Sequence, residues 1–135
     1  MENSKTYTIY CDGGARGNPG PAAYGFVIYN EQGTKVYKEG RAIGKTTNNV
    51  AEYSGVIGAM KFLISNIKFP ISNVRFFLDS KLVAEQLSGR WKIKNENLRN
   101  LFFTIKELER KIGAKFSYSS IPREENSEAD KLLNL

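Results

Sequence analysis

From Thr6 to Asp12 the chain alternates, with Tyr7, Ile9 and Cys11 on one side and Thr8, Tyr10 and Asp12 on the other, the two-residue period of a strand. Ala22 to Tyr29 is a second apolar run, and the turn residues Asn30-Glu31-Gln32-Gly33 separate it from a third, Lys35 to Ile43. These predict a hairpin, so the opening of the chain reads as an antiparallel meander. After Gly44 the period changes. Val50, Tyr53, Ile57, Met60 and Ile64 recur at steps of three and four, which predicts a helix that Thr47 or Asn48 can cap and that ends before Pro70. Val74 to Leu78 suits a buried strand, and Asp79-Ser80 after it can cap a helix over Lys81 to Leu87. Leu98, Leu101, Phe102, Ile105, Leu108 and Ile112 form an amphipathic stripe closed by Gly113. Lys115 to Ile121 then alternates as a last strand, and Ser127 to Leu135 reads as a short terminal helix. A meander followed by alternating helices and strands predicts an α/β fold with helices packed on a mixed sheet. No repeat, low-complexity tract or linker interrupts it, so 1–135 is expected to be a single domain.

Composition narrows the chemistry. With 41% apolar residues, eight Phe and seven Tyr in 135 residues, the chain can bury a real core. No apolar run approaches the roughly 18 residues of a membrane span, and Met1-Glu2-Asn3-Ser4-Lys5 lacks the apolar stretch of a signal peptide. A soluble cytoplasmic protein without membrane contact is expected. Twenty Lys and Arg against 14 Asp and Glu leave a formal charge of +6, which favours an anionic partner, nucleic acid ahead of membrane. There is no histidine. That excludes Ser-His-Asp and Cys-His nucleophiles, HExxH metal helices and His-bearing zinc fingers. The single cysteine, Cys11, removes all-cysteine zinc sites and internal disulfides. Any chemistry falls to carboxylates or a lysine.

Four acids stand at informative places, each with a structural alternative. Asp12 lies in a largely apolar strand that runs into Gly13-Gly14-Ala15-Arg16-Gly17-Asn18-Pro19-Gly20. It is either a metal-binding or base carboxylate beside a glycine-rich loop, or the start of an Asp-Gly turn. Glu52, one turn into the long helix, either complements the helix dipole or joins Thr47-Asn48-Asn49 at an anion-favouring helix start. Asp79 ends a buried strand, where ligand sites of α/β sheets collect, or caps the next helix. Asp130 falls at the third helical position of the capping-box pattern Ser127-Glu128-Ala129-Asp130. Their joint placement argues for function, because they can converge at one sheet edge. Two like charges 4 Å apart repel by roughly 4 kcal/mol at an effective dielectric of 20. Divalent cations would offset that cost, and all-oxygen ligands suit Mg²⁺ or Mn²⁺. Paired ions of this kind serve in-line attack on a phosphodiester.

Tyr10 to Gly20, Thr47-Asn48-Asn49-Val50-Ala51-Glu52, Leu78-Asp79-Ser80 and Asn126-Ser127-Glu128-Ala129-Asp130 resemble, in order and spacing, the four motifs of the type 1 ribonucleases H. The resemblance covers nearly the whole chain. It implies a five-stranded mixed sheet flanked by helices and two Mg²⁺ or Mn²⁺ ions held by Asp12, Glu52, Asp79 and Asp130. It also implies endonucleolytic cutting of the RNA strand of RNA–DNA hybrids, leaving 3′-hydroxyl and 5′-phosphate ends. Gly13, Asn18, Asn48 and Asn49 would then read 2′-hydroxyls and the minor groove, and Thr47 would face a DNA phosphate. That division is physically sensible, since the 2′-hydroxyl distinguishes RNA from DNA. Double-stranded RNA is a conceivable side substrate, and a monomer with no obligatory protein partner is expected.

The chain departs from the family pattern in three places. Many members carry a histidine before the fourth motif; here the loop is Ser119-Ser120-Ile121-Pro122-Arg123-Glu124-Glu125, so either Arg123, Glu124 or Glu125 takes over part of its role or the step goes unassisted. This resembles the branch that lacks the histidine. The long basic protrusion of some relatives is reduced to Arg90-Trp91-Lys92-Ile93-Lys94, a DNA-strand contact or a solvated loop. Only Leu132, Leu133 and Leu135 follow to anchor the segment bearing Asp130. A hybrid-binding face running from Arg16 past Lys81 to Trp91, Lys92 and Lys94 is the expectation.

Overall fold

The computed structural model describes residues 5–135; Met1 to Ser4, part of the segment read above for a signal peptide, lie outside the described residues. The chain runs β1 (Thr6–Ala15), β2 (Gly20–Tyr29), β3 (Lys35–Thr46), α1 (Asn48–Asn66), β4 (Asn73–Leu78), α2 (Lys81–Leu87), α3 (Glu96–Ile112) and β5 (Lys115–Ser120), then a 3₁₀ turn (Arg123–Asn126) and α4 (Ser127–Lys131). One five-stranded sheet in the order β3-β2-β1-β4-β5 results. The meander pairs antiparallel, whereas β1–β4 and β4–β5 are parallel.

Tyr7, Ile9 and Cys11 of β1 are buried, with Phe26 and Ile28 of β2 and Val74, Phe76 and Leu78 of β4 joining them in the core. Each such large side chain contributes roughly 1.5–3 kcal/mol when fully buried. Against them pack Tyr53, Val56, Met60 and Leu63 of α1 and Leu98, Ile105 and Leu108 of α3. Thr47 caps α1 by accepting from the Val50 N–H at 3.2 Å. Gly113, with φ 78°, closes α3 in the left-handed conformation.

Several boundaries differ from the sequence reading. The strands of the meander are longer, because Gly13 and Gly14 continue the β1–β2 ladder, where they pair with Tyr24 and Ala23, instead of turning. The turn is delayed to Arg16, whose N–H donates to the Pro21 carbonyl at 2.8 Å. Ile64 is 40% exposed; the buried stripe of α1 runs through Leu63, so Ile64 falls on its rim. Ile121 lies beyond β5, although its N–H still donates to the Leu78 carbonyl at 2.8 Å. The terminal helix stops at Lys131. Its expected capping box is absent, since the chain is already winding from Arg123 and Ser127 has helical dihedrals (φ −63°, ψ −31°) rather than those of a cap. No helix among the described residues is long and apolar enough to cross a membrane.

Candidate active site

Parallel pairing of β1 with β4 sets Cys11 opposite Leu78. The next residue of each segment is an acid, so Asp12 and Asp79 leave the same end of the sheet side by side. Ser80, not Asp79, caps α2 by accepting from the Val83 N–H at 3.2 Å, which releases Asp79 from the structural role open to it in the sequence. Asp12 likewise starts no turn. Glu52 arrives from the first turns of α1, and the approach depends on Gly13. A methyl there would lie 2.4 Å from the Ala51 carbonyl carbon and 2.5 Å from the Glu52 nitrogen. Only hydrogen fits between strand and helix.

Asp12, Glu52 and Asp79 each offer a carboxylate oxygen, all within 4.8 Å of one another. Asp12 and Glu52 are buried. The Glu52 Oε1 and Asp79 Oδ2 atoms are buried without a hydrogen-bond partner, although the Arg123 Nε stands 3.9 Å from the latter. Burial, the Asp79 charge and a hydrogen bond with Asp130 push the Asp12 carboxyl up to about 8. Burial followed by the Asp12 and Asp79 charges raises Glu52 well above the ordinary carboxylate range. Burial also raises Asp79, opposed by the Arg123 charge and a hydrogen bond from Asn126. Orphaned buried oxygens and carboxylates pressed toward protonation are what a divalent cation relieves, and hard oxygen donors suit Mg²⁺ or Mn²⁺. Asp130, exposed on α4, stands outside the three-acid group but in hydrogen-bonding reach of Asp12.

The cleft, about 360 Å³, is lined by Asp12, Gly13, Asn48, Asn49, Glu52, Asp79, Ser80 and Arg123 among others. Two of the predicted substrate readers, Asn48 in the lining and Asn18 outside it, hold the protein together as well. The Asn48 Oδ1 accepts from the Ala15 N–H at 2.8 Å, and the Asn18 Oδ1 from the Asn48 N–H at 2.9 Å. These bonds lock the glycine-rich turn to the start of α1. Thr47, in capping α1, uses its oxygen as an acceptor. Arg16 is exposed on the turn. Lys81, Trp91, Lys92 and Lys94 are also exposed and lie outside the cleft lining, with Lys81 Nζ 6.0 Å from the centre of the Trp91 ring. Of the loop residues offered in place of histidine, Arg123 reaches Asp79, whereas Glu124 is exposed and does not line the cleft. Glu125 lines a separate cavity on the sheet face bearing Tyr10 and Phe77.

Asn126 escaped the sequence reading. It is 1% exposed, donates to the Cys11 carbonyl at 2.7 Å and hydrogen-bonds Asp79. Its place at the head of the fourth motif, four residues before Asp130, is the signal that could have found it.

Residues 10–135 match the family described as reverse transcriptase-like. The bifunctional protein Rv2228c of Mycobacterium tuberculosis is 42% identical over 127 residues, covering 93% of this chain and 34% of that protein. Ribonuclease HI of Halobacterium salinarum is 38% identical over 125 residues, covering 93% of this chain and 61% of its own. This chain therefore spans a third to three fifths of these curated relatives. The crystal structure of LC11-RNase H1 in complex with an RNA/DNA hybrid superposes with a TM-score of 0.89 at 38% identity, covering 95% of this chain and 94% of that one. A family match over residues 10–135 and a ribonuclease H1 structure covered almost end to end show that the chain belongs to the reverse transcriptase-like family, among its type 1 ribonucleases H.

Proposed function

We propose that this protein is a metal-dependent endoribonuclease that hydrolyses the RNA strand of RNA–DNA hybrids, leaving 3′-hydroxyl and 5′-phosphate ends. The observation that carries this reading is the group of ligand oxygens from Asp12, Glu52 and Asp79 within 4.8 Å, two of its members holding a buried carboxylate oxygen without a hydrogen-bond partner. Asp12 and Asp79 are the central ligands, Glu52 serves the RNA-strand side, and Asp130 completes the second of two Mg²⁺ or Mn²⁺ positions. When bound, the ions supply Lewis-acid stabilisation of phosphate charge and lower the pKa of the attacking water.

The chain's own residues do the rest. Burial keeps bulk water from Asp12 and Glu52, so their charge is screened less on what they hold. With their oxygens engaged, Asn18 and Asn48 keep side-chain N–H₂ groups to donate to 2′-hydroxyls. Thr47 keeps a hydroxyl proton for a DNA phosphate. Gly13 admits the minor groove close to the backbone. Arg16, Lys81, Lys92 and Lys94 neutralise phosphates, with Trp91 against a sugar or base. Arg123 stands beside Asp79, in the loop before the fourth motif where many family members carry a histidine. The domain acts as a cytoplasmic monomer without an obligatory protein partner, and double-stranded RNA is a secondary substrate.

The test is cleavage of an end-labelled hybrid in Mg²⁺ or Mn²⁺, beside double-stranded RNA and duplex DNA. Cutting of the RNA strand of the hybrid, abolished by chelator and by Asp79→Asn, is expected. Undiminished cutting by Asp79→Asn overturns the assignment of roles. Preference for duplex DNA overturns the substrate, and hybrid binding without cleavage in either cation makes the protein a binding module.

A further inference from the structure

A row of three residues crosses the sheet beside the acids: Asp12 on β1 pairs with Gly25 on β2, and Gly25 with Gly40 on β3. The backbone of α4 and of Leu132, which follows it, lies directly on the two glycines. A methyl at Gly25 would stand 2.7 Å from the Ala129 carbonyl oxygen and 2.7 Å from Leu132 Cβ; one at Gly40 would stand 2.1 Å from the Leu132 carbonyl oxygen. Neither glycine has a positive φ, so the backbone conformation there does not call for glycine. What the fold needs at both positions is the missing side chain.

The helix above them cannot hold its own place. It has five residues and no side-chain cap, well below the length at which a helix is stable alone. Two polar ties locate it laterally: Asn126 to the Cys11 carbonyl, and Glu128 to the Tyr29 hydroxyl and Lys35 ammonium. Its height above the sheet is set by the backbone resting on Gly25 and Gly40. Asp130 lies between the two residues in contact, Ala129 and Leu132.

We infer that Gly25 and Gly40 are positioning residues for Asp130, forming a side-chain-free seat on which α4 rests so that the Asp130 carboxylate completes the acid cluster at Asp12. This rests on the metal-centre reading given above. Any side chain in the seat lifts α4 and withdraws Asp130 while leaving Asp12, Glu52 and Asp79 in place.

The experiment is a Mn²⁺ titration followed by electron paramagnetic resonance, without nucleic acid, on the unmodified protein, Asp130→Asn, Gly40→Ala and the double variant. Each single variant is expected to weaken Mn²⁺ binding by the same factor, roughly 10–100-fold. The double variant is expected to be no weaker than either single one, because the glycine acts only through the acid. Unchanged binding by Gly40→Ala, or a double loss equal to the product of the two, overturns the inference. Gly25→Ala repeats the test should Gly40→Ala not fold. In the unmodified protein with Mg²⁺, nuclear Overhauser contacts between the Gly40 α-protons and Leu132 are also required, and their absence overturns the seat without any variant. Protein that binds no Mn²⁺ takes down the metal reading and this inference together. Protein that binds Mn²⁺ but leaves hybrid uncut takes down the substrate alone, and the titration still decides the seat.

Discussion

The Asn126 side chain donates a 2.7 Å hydrogen bond to the carbonyl oxygen of Cys11, tying the segment that carries Asp130 to the residue preceding Asp12. Because the bond is buried, its loss is not compensated by water. Asn126→Ala is expected to lower stability by about 1–3 kcal/mol, read as a reduced urea midpoint at unchanged slope. It also removes the hydrogen bond that opposes the upward shift of Asp79, so activity falls with it. An unchanged midpoint would show that the tie carries no net free energy.

Gly13→Ala tests the contact between β1 and α1. Its methyl would meet backbone atoms of Ala51 and Glu52 at 2.4–2.5 Å, and backbone cannot swing aside as a side chain can. The first turn of α1 has to retreat and carries Glu52 with it. A loss of about 3 kcal/mol is expected, together with weakened metal binding, measured by thermal unfolding with and without Mg²⁺. A variant as stable as the parent, with intact metal binding, would contradict this placement of Gly13.

The pH dependence of stability in chelator follows from the acids. The folded Asp12 carboxyl lies at about 8 against an unfolded value of 3.8, so between those limits the folded state binds more protons than the unfolded one. The Asp12 contribution to stability therefore falls as pH rises from about 4 to about 8 and levels off above. Glu52 and Asp79 shift in the same direction. Melting temperatures of the metal-free protein from pH 4 to 9 should trace this decline, and saturating Mg²⁺ should flatten it. Asp12→Asn should melt higher than the parent without metal; a lower value would mean that the carboxylates do not repel.

Trp91 is 45% exposed and stands beside Lys81. Trp91→Ala should leave the fold and kcat unchanged and raise KM for the hybrid, with a binding loss of roughly 1–3 kcal/mol. Steady-state kinetics at two salt concentrations check this, since the lysine contacts weaken with salt and the stacking contact much less. A fall in kcat at constant KM would place Trp91 in the chemistry instead.

Periodicity locates the helices and strands because their buried faces are apolar at regular steps; each of the four acids alone fits a structural role, and they stand out through their joint placement and the motifs that carry them. Other features are tertiary and leave no periodic trace. Gly13 and Gly14 look like a turn, yet strand pairing on β2 carries β1 through them to Ala15. Gly25 and Gly40 look like weak points in strands until α4 is seen resting on them. Asn18 and Asn48 read as substrate contacts, and no local pattern reveals that their oxygens close a loop onto a helix 30 residues away. Ile64 fits the helical period but misses the core because the contact with the sheet favours its neighbour Leu63.

The parallel register of β1 and β4, with Cys11 opposite Leu78, has a bearing on how freely the rest of the molecule can change. Neighbouring strands sit about 4.8 Å apart because backbone hydrogen bonding fixes that interval. The backbones of Asp12 and Asp79, each one residue past the last ladder pair, therefore leave the sheet at an interval set by the peptide ladder, while Arg123 stands at the Asp79 carboxylate itself. Loops can lengthen, helices can repack and the outer face of β3 can drift in composition while the backbones that carry two of the acids stay at the same interval. Transplanting that interval into another scaffold would need one parallel strand pair ending in two acids; the third and fourth ligands are the ones that would have to be fitted afresh.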